Sequence, residues 1–526
     1  MTKKQRVGLS RREIIASAAT FMAAGGAAKR VLAVEAPDSR RTRREFPDIA
    51  SGNPDLPEFH GPRVIGATPG RDFLFQVPHT GATPLVLSAS GLPRGLRMTD
   101  TGLIRGKIQS PGTYNVRLTA TNRAGHAHRV LRIVAGQHKL GLTPPMGWNS
   151  WYAYSTGNTA ELTRAAADAL VKHGLAAKGF MYVNLDDGWQ GGRTASGQIM
   201  PTEKFGNMQA LIAHVHELGL RFGIYSSPGP QTCAHHTGSW GHELLDAQSY
   251  ARWGVDFLKY DWCSYTKEVP RHPDLQQYIK PYAVMRRALD SVDRDIFFSL
   301  CQYGMAHVWT WGAKAPVFGN QWRTSGDIID TWAAISRNGF DAQRQLYPFA
   351  GPGHWNDPCM LMLGYGKYWS GALRPTRLTP HEQLLQVTLW SMLAAPMVLS
   401  CDLDKLDKFT IDLVTNTEII AVDQDELGMQ GQCVDRQAGG MEIWARPLWD
   451  GTVAVALFNR GAKAQTGHIA SWDMLDPVLP RGARTLRGSQ QVRDLWKRKT
   501  LGSMARISMP VPSHSAVMLK IGNPAH

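Results

Sequence analysis

The chain spends little on crosslinks, charge or long apolar runs. Six cysteines in 526 residues (Cys233, Cys263, Cys301, Cys359, Cys401 and Cys433) are too few for a disulfide scaffold. None lies in a Cys-x-x-Cys pair or at histidine spacing, so no metal or other cofactor is expected. An exported protein of this composition accommodates one or two bridges. No apolar stretch reaches the ~20 residues that span a bilayer, and residues 390–399 are broken by Pro396. Membrane insertion is therefore not expected. No glycine-rich phosphate loop follows a strand. Hydrophobic content of 43% against 19% charged residues describes a globular chain, and its length predicts two to four domains.

The formal charge of +15 looks at first like a nucleic-acid signal. Its distribution argues otherwise. Residues 1–36 hold seven Lys/Arg and two Glu, which gives +5, and the RRTRR run at 40–44 adds four more. No later basic block interleaves with aromatics, so no nucleic-acid partner is expected. Arg11-Arg12 ahead of a modest apolar run reads as a twin-arginine export signal over 1–36, followed by a linker over 37–60. The mature protein is expected outside the cytoplasm, periplasmic or extracellular.

Periodicity divides the rest. Over 61–137 it is two: in 113–120, Tyr114, Val116, Leu118 and Ala120 share a face, and Gly-Pro turns punctuate the strands. This predicts a small β-sandwich. Over 138–426 short apolar runs alternate with amphipathic helices. Strands are predicted at 146–151, 180–186, 221–226, 255–261, 296–301, 321–325, 354–363 and 397–402. Eight such units predict a closed (β/α)8 barrel. Alternation returns over 427–526, predicting a second antiparallel β-sandwich.

A barrel places its chemistry at the C-terminal ends of the strands. Those ends read Trp148-Asn149-Ser150-Trp151, Asp186-Asp187-Gly188-Trp189, Tyr225, Lys259 to Cys263, Cys301-Gln302-Tyr303, Arg323 to Asp327, and Trp355-Asn356-Asp357. Carboxylates dominate this rim. Glycoside hydrolysis needs two of them, one at the sugar carbon and one moving a proton. Asp261 suits the first role, with Lys259 on the same side of the strand to favour its ionised form. Asp327, with Arg323 nearby, suits the second. Asp330 reads as a structural ion-pair residue. Seventeen tryptophans and fourteen tyrosines suit a sugar enzyme but equally a large core.

The ordered motifs MGWNSW, NLDDGWQ, GIYSSPG, FLKYDWC, WRTSGDI and GHWNDP resemble those of glycoside hydrolase family 27, the α-galactosidase family of clan D, over about 140–425 and on through the C-terminal sandwich. GLPRGL, TGLIRGKI and GTYNVRLTATN resemble the immunoglobulin-like domains that flank bacterial sugar hydrolases. The resemblance implies a retaining exo-α-galactosidase acting on α-galactoside oligosaccharides or polysaccharides through a covalent intermediate. Asp261 would be the nucleophile and Asp327 the acid/base, their carboxyl groups roughly 5–5.5 Å apart. Asp186 and Asp187 would hold the 4- and 6-hydroxyls, and Lys259 the 3- and 4-hydroxyls. Trp151 and Tyr225 would wall the sugar, and Arg323 would reach its 2-hydroxyl. Cys233 and Cys263 match a family disulfide.

Two positions depart from the pattern. Gln302 stands where many members carry Glu, and Cys359 where Asp is common. Met305 is bulky where a small residue goes with N-acetylgalactosamine, which argues against that sugar. Alternatives are a β-L-arabinopyranosidase, whose sugar lacks the C6 arm, an isomaltose-releasing dextranase, a non-catalytic carbohydrate-binding protein, and a surface anchor acting through the N-terminal sandwich.

Overall fold

The computed structural model describes residues 45–524. The export-signal reading of 1–36 lies outside the described residues. No described helix is long and apolar enough to cross a membrane.

The first domain is a two-layer sandwich. Val64–Ala67, Gly125–Ala135, Gly112–Asn122 and Val86–Ser90 form one sheet, and Asp72–Gln76, Leu103–Lys107 and Leu96–Met98 the other. The pleat puts Val116, Leu118 and Ala120 into its core, as their alternation predicts. Residues 46–57 form neither helix nor strand, yet they are seated along the body. Phe46 packs edge-on to Phe409 at 5.0 Å, the Ala50 amide donates to the Trp496 carbonyl at 2.8 Å, and Asn53 accepts from Lys178 at 2.6 Å.

Eight parallel strands form the central sheet: β1 (Met146–Asn149), β2 (Tyr182–Asn184), β3 (Arg221–Ser226), β4 (Phe257–Asp261), β5 (Phe297–Cys301), β6 (Gln321–Arg323), β7 (Trp355–Asp357) and β8 (Met397–Leu399). Their order is sequential from β1 to β7, with β8 beside β1. Leu361, just past β7, bridges to Leu399 and donates its amide to the Val398 carbonyl at 2.9 Å, which closes the ring. Every residue of β5 is buried, as expected of a parallel strand covered on both faces. β3 matches its predicted run of 221–226, and the other seven strands are one to seven residues shorter than predicted, because the runs continue into buried loops such as 358–363.

The surrounding helices follow their sequence signals. In Met208–Glu217 the buried stripe is Met208, Leu211, Ile212 and Val215, and Asn207 caps it by accepting from the Ala210 amide. Helix Pro380–Leu393 is buried all round because it lies between the barrel and the last domain. There Arg446 donates to the Ser391 carbonyl at 2.6 Å and Trp496 to Thr388 at 2.9 Å. The last domain is a six-stranded antiparallel sheet (Gln432–Gln437, Met441–Pro447, Val453–Asn459, Ser515–Ile521, Gln490–Asp494, Lys499–Met504) backed by the pair Gln465–Ile469 and Ile507–Val511.

The immunoglobulin-like domain sits under the barrel, at the strands' N-terminal ends. Arg221, which opens β3, donates to the Leu74 carbonyl at 2.8 Å. Arg71 pairs with Asp295 at 3.3 Å, just ahead of β5. The opposite end is left to loops.

Candidate active site

Strand β4 delivers Lys259 and Asp261, two residues apart and therefore on the same side. Lys259 does not reach Asp261 with a hydrogen bond. Its ammonium donates to Asp186 Oδ2 at 2.7 Å, the same oxygen that accepts from Asn149 Nδ2 at 2.7 Å. Asp186 Oδ1 accepts the Asp187 amide at 2.9 Å. Burial works against the charged ammonium, but the Asp186 carboxylate raises the Lys259 pKa well above the ordinary lysine value.

Asp261 is 4% exposed. Its Oδ2 accepts the Tyr225 hydroxyl at 2.9 Å, while Oδ1 is buried without a partner. Desolvation pushes its pKa from the ordinary 3.8 up to about 6, against the pull of Lys259, Tyr303 and Tyr225, and the charge of Asp327 adds to the rise. Lys259 does favour the ionised form of Asp261, as its spacing suggests, but its pull is not the largest one acting. Burial outweighs the lysine, whose direct partner is Asp186.

Asp187 repeats the pattern. Its Oδ2 accepts the Ala234 amide at 2.8 Å, its Oδ1 is buried and unpartnered, and burial raises its pKa. Gln302 is fully buried. Its Nε2 donates to the Met305 carbonyl at 3.0 Å, bracing a turn in which Tyr303, Ala306 and His307 all adopt positive φ, and its Oε1 has no partner. Met305 is half-buried against the barrel core. Buried acceptors of Asp187, Asp261 and Gln302 therefore stand unsatisfied just past or at the ends of β2, β4 and β5, an arrangement that calls for a ligand rich in donors.

Asp327 is the accessible carboxylate, at 39% exposure, on the loop after β6. Arg323 is buried, pairs with Asp327 Oδ1 at 3.0 Å, donates to the Ser325 carbonyl at 3.0 Å and lies 5.7 Å from the Tyr303 ring centroid. Asp330 is fully buried and takes Arg374 and Arg377, the ion-pair role its sequence context suggested. Trp151 is half-buried, with its ring edge-on to Trp369 at 5.6 Å.

Cys233 and Cys263 form a disulfide. It ties the 227–240 loop, whose Ala234 amide holds Asp187, to the residues following Asp261. The two sulfurs and the Asp261 carboxylate cluster within 4.8 Å, but the disulfide consumes both thiolates a metal would use. Cys301 and Cys359 are free and buried. Cys359 Sγ lies 3.9 Å from the Tyr152 hydroxyl.

The structure thus brings Asp186, Asp187, Tyr225, Lys259, Asp261, Gln302, Met305, Arg323, Asp327 and Trp151 to the C-terminal ends of six strands, β1 to β6, and the loops beyond them. Sequence reasoning gave no role to Asn149, which anchors Asp186, or to Tyr303, which favours the charged form of Asp261. Both stood in rim motifs, and their polar groups at strand ends were the available signal. Trp369 lay in a loop with no such signal.

Comparison with known proteins agrees with this geometry. A family model described as "Alpha galactosidase A" matches residues 143–425, one described as "Alpha galactosidase C-terminal beta sandwich domain" matches 438–521, and one described as "Putative Ig domain" matches 59–135. The α-galactosidase of Cyamopsis tetragonoloba is 38% identical over 397 residues, covering 74% of this chain and 89% of that protein. The structure of α-galactosidase I from Mortierella vinacea aligns with a TM-score of 0.66 at 30% identity, covering 74% of this chain and 99% of that one. That of Saccharomyces cerevisiae α-galactosidase with raffinose aligns at 0.66 and 25% identity, covering 74% and 99%. The chain belongs to the α-galactosidase family, glycoside hydrolase family 27.

Proposed function

We propose that the enzyme is a retaining exo-α-galactosidase that removes terminal α-D-galactosyl residues from oligosaccharides or polysaccharides. The observation that carries this reading is the set of three unsatisfied buried acceptors, Asp187 Oδ1, Asp261 Oδ1 and Gln302 Oε1, at a rim whose accessible carboxylate is Asp327. Hydroxyls of one sugar ring can supply the missing donors, and the unpartnered Asp261 oxygen is free to attack carbon.

In the first step Asp261 Oδ1 forms a bond to the anomeric carbon as the glycosidic C–O bond breaks, and the Asp327 proton passes to the departing oxygen. In the second, Asp327 takes a proton from water, the water oxygen bonds to the anomeric carbon, and the Asp261 ester bond breaks. Two inversions give retention. Exposure suits the division of labour. The nucleophile is dry, and the acid/base stands where leaving group and water pass. Asp186 and Asp187 take the 4- and 6-hydroxyls, Lys259 the 3- and 4-hydroxyls, and Arg323 the 2-hydroxyl region. Tyr225 and Trp151 wall the ring. Paired Asp186 and Asp187 favour a sugar with a C6 arm over an arabinopyranoside, and Met305 leaves little room for an acetamido group. Export of the chain is part of the proposal, supported by a disulfide that includes the exposed Cys233.

The test is hydrolysis of nitrophenyl α-galactoside, β-L-arabinopyranoside and α-N-acetylgalactosaminide. Preferred turnover of the galactoside is expected. Turnover confined to either other sugar would overturn the substrate assignment.

A further inference from the structure

Between β7 and helix Pro380–Leu393 the chain makes a strap, closed by the antiparallel pair Tyr365–Gly366 and Arg374–Pro375. The strap is fixed to the loop that carries Asp327. Asp330, three residues on and fully buried, receives Arg374 at 2.5 and 3.1 Å and the Arg377 guanidinium at 3.0 Å and amide at 2.9 Å. Tyr368 points inward and is buried beneath Arg374, which lies 5.2 Å from its ring centroid. The Lys367 amide donates to the Tyr152 carbonyl at 2.6 Å.

Trp369, the next residue, points the other way and is 55% exposed. Its ring meets Trp151 edge-on at 5.6 Å and Tyr152 edge-on at 5.8 Å. The Tyr152 hydroxyl donates to the Ile328 carbonyl at 2.7 Å, beside Asp327. Trp369 therefore stands at the mouth, one ring beyond the sugar-walling Trp151 and on the acid/base side of the site.

We propose that Trp369 is a specificity-determining residue, the platform for the leaving group, and that this leaving group is a pyranose ring of an α-galactosyl oligosaccharide. The inference rests on the reading of Asp261 as nucleophile and Asp327 as acid/base. Asp327 protonates the departing oxygen, so whatever is bonded to that oxygen lies on Asp327's side of the pocket, away from Asp261. An indole there offers a large rigid apolar face at little conformational cost, and the C–H face of a pyranose is the part of a sugar that packs on such a ring. The clamp at Asp330 holds platform and acid/base on one rigid unit.

The experiment uses the full chain, with Trp369→Ala and Trp369→Phe variants. One substrate is α-galactosyl fluoride, which has no ring on the leaving side. The other is whichever of the α-1,3-, α-1,4- and α-1,6-linked galactosyl disaccharides the wild type cleaves fastest. Trp369→Ala is expected to lower kcat/KM on the disaccharide about tenfold, mainly through KM, while the fluoride changes less than about twofold. Trp369→Phe keeps an aromatic face and should retain disaccharide activity within about threefold. Equal losses on both substrates, no loss on either, or a wild type that cleaves none of the disaccharides would overturn the platform. Failure of the wild type to hydrolyse galactosyl fluoride would instead sink the nucleophile and acid/base reading beneath it.

Discussion

At its first residue, β4 buries Phe257 stacked on Phe297, ring centroids 4.9 Å apart, with Tyr182 edge-on at 5.5 Å. At its last residue, four positions along, it buries Asp261 with one carboxylate oxygen satisfied and the other without a partner. The lower end is closed by the immunoglobulin-like domain and its ion pairs. The upper end keeps buried acceptors of Asp187, Asp261 and Gln302 unsatisfied and holds a carboxylate whose pKa is displaced to about 6. The same strand supplies stability at one end and stored electrostatic cost at the other, which is the division a barrel enzyme permits.

Changing each end separately breaks that comparison most sharply. Asp261→Asn should lower kcat/KM more than ~1,000-fold and yet raise the melting temperature. The sign follows from linkage. A raised pKa means the fold binds the proton more tightly than the unfolded chain, so stability falls as pH rises from about 4 to about 6 and the deficit is complete above that. A shift from 3.8 to about 6 corresponds to roughly 3 kcal/mol. Scanning calorimetry should show Asp261→Asn ahead by a few degrees at pH 7 and level with wild type below about pH 4.

Asp327→Ala removes the proton donor and should cost ~100–10,000-fold on a sugar leaving group, but much less on dinitrophenyl galactoside, whose leaving group needs no proton. Steady-state kinetics on the two substrates measures the gap. Phe297→Ala tests the lower end. It should cost about 3–5 kcal/mol in denaturant titration while kcat/KM, measured well below the transition, stays within about twofold.

A smaller effect sharpens the electrostatic account. The acid limb of kcat/KM should fall near pH 6, activity being lost as pH drops and Asp261 takes a proton. Lys259→Met should move that limb to higher pH, since Lys259 favours the charged carboxylate, besides weakening substrate binding. An unmoved limb would mean another group sets it.

Much of this division was legible beforehand because it is written in types and spacing. Apolar runs alternating with amphipathic helices gave the barrel, and polar residues at seven strand ends gave the rim. What escaped was relational. Lys259 lies two residues from Asp261, so spacing suggested a pair, but the ammonium is captured by Asp186 across the barrel. No window of sequence contains that contact. The stretch 37–60 read as linker because it lacks periodicity, although within 46–57 isolated side chains such as Phe46 and Asn53 seat the chain on the body. Trp369 went unnoticed because its position depends on Asp330 gripping two arginines more than forty residues away.

The central claim is that the unpartnered oxygen of Asp261 becomes covalently bonded to the sugar. Incubating the enzyme with a fluorinated galactosyl fluoride that is attacked faster than it is released, then digesting and sequencing by mass spectrometry, addresses it directly. The account predicts one fluorogalactosyl adduct on the peptide containing Asp261. An adduct on another residue, or steady turnover with no adduct and the opposite anomer released, would contradict it.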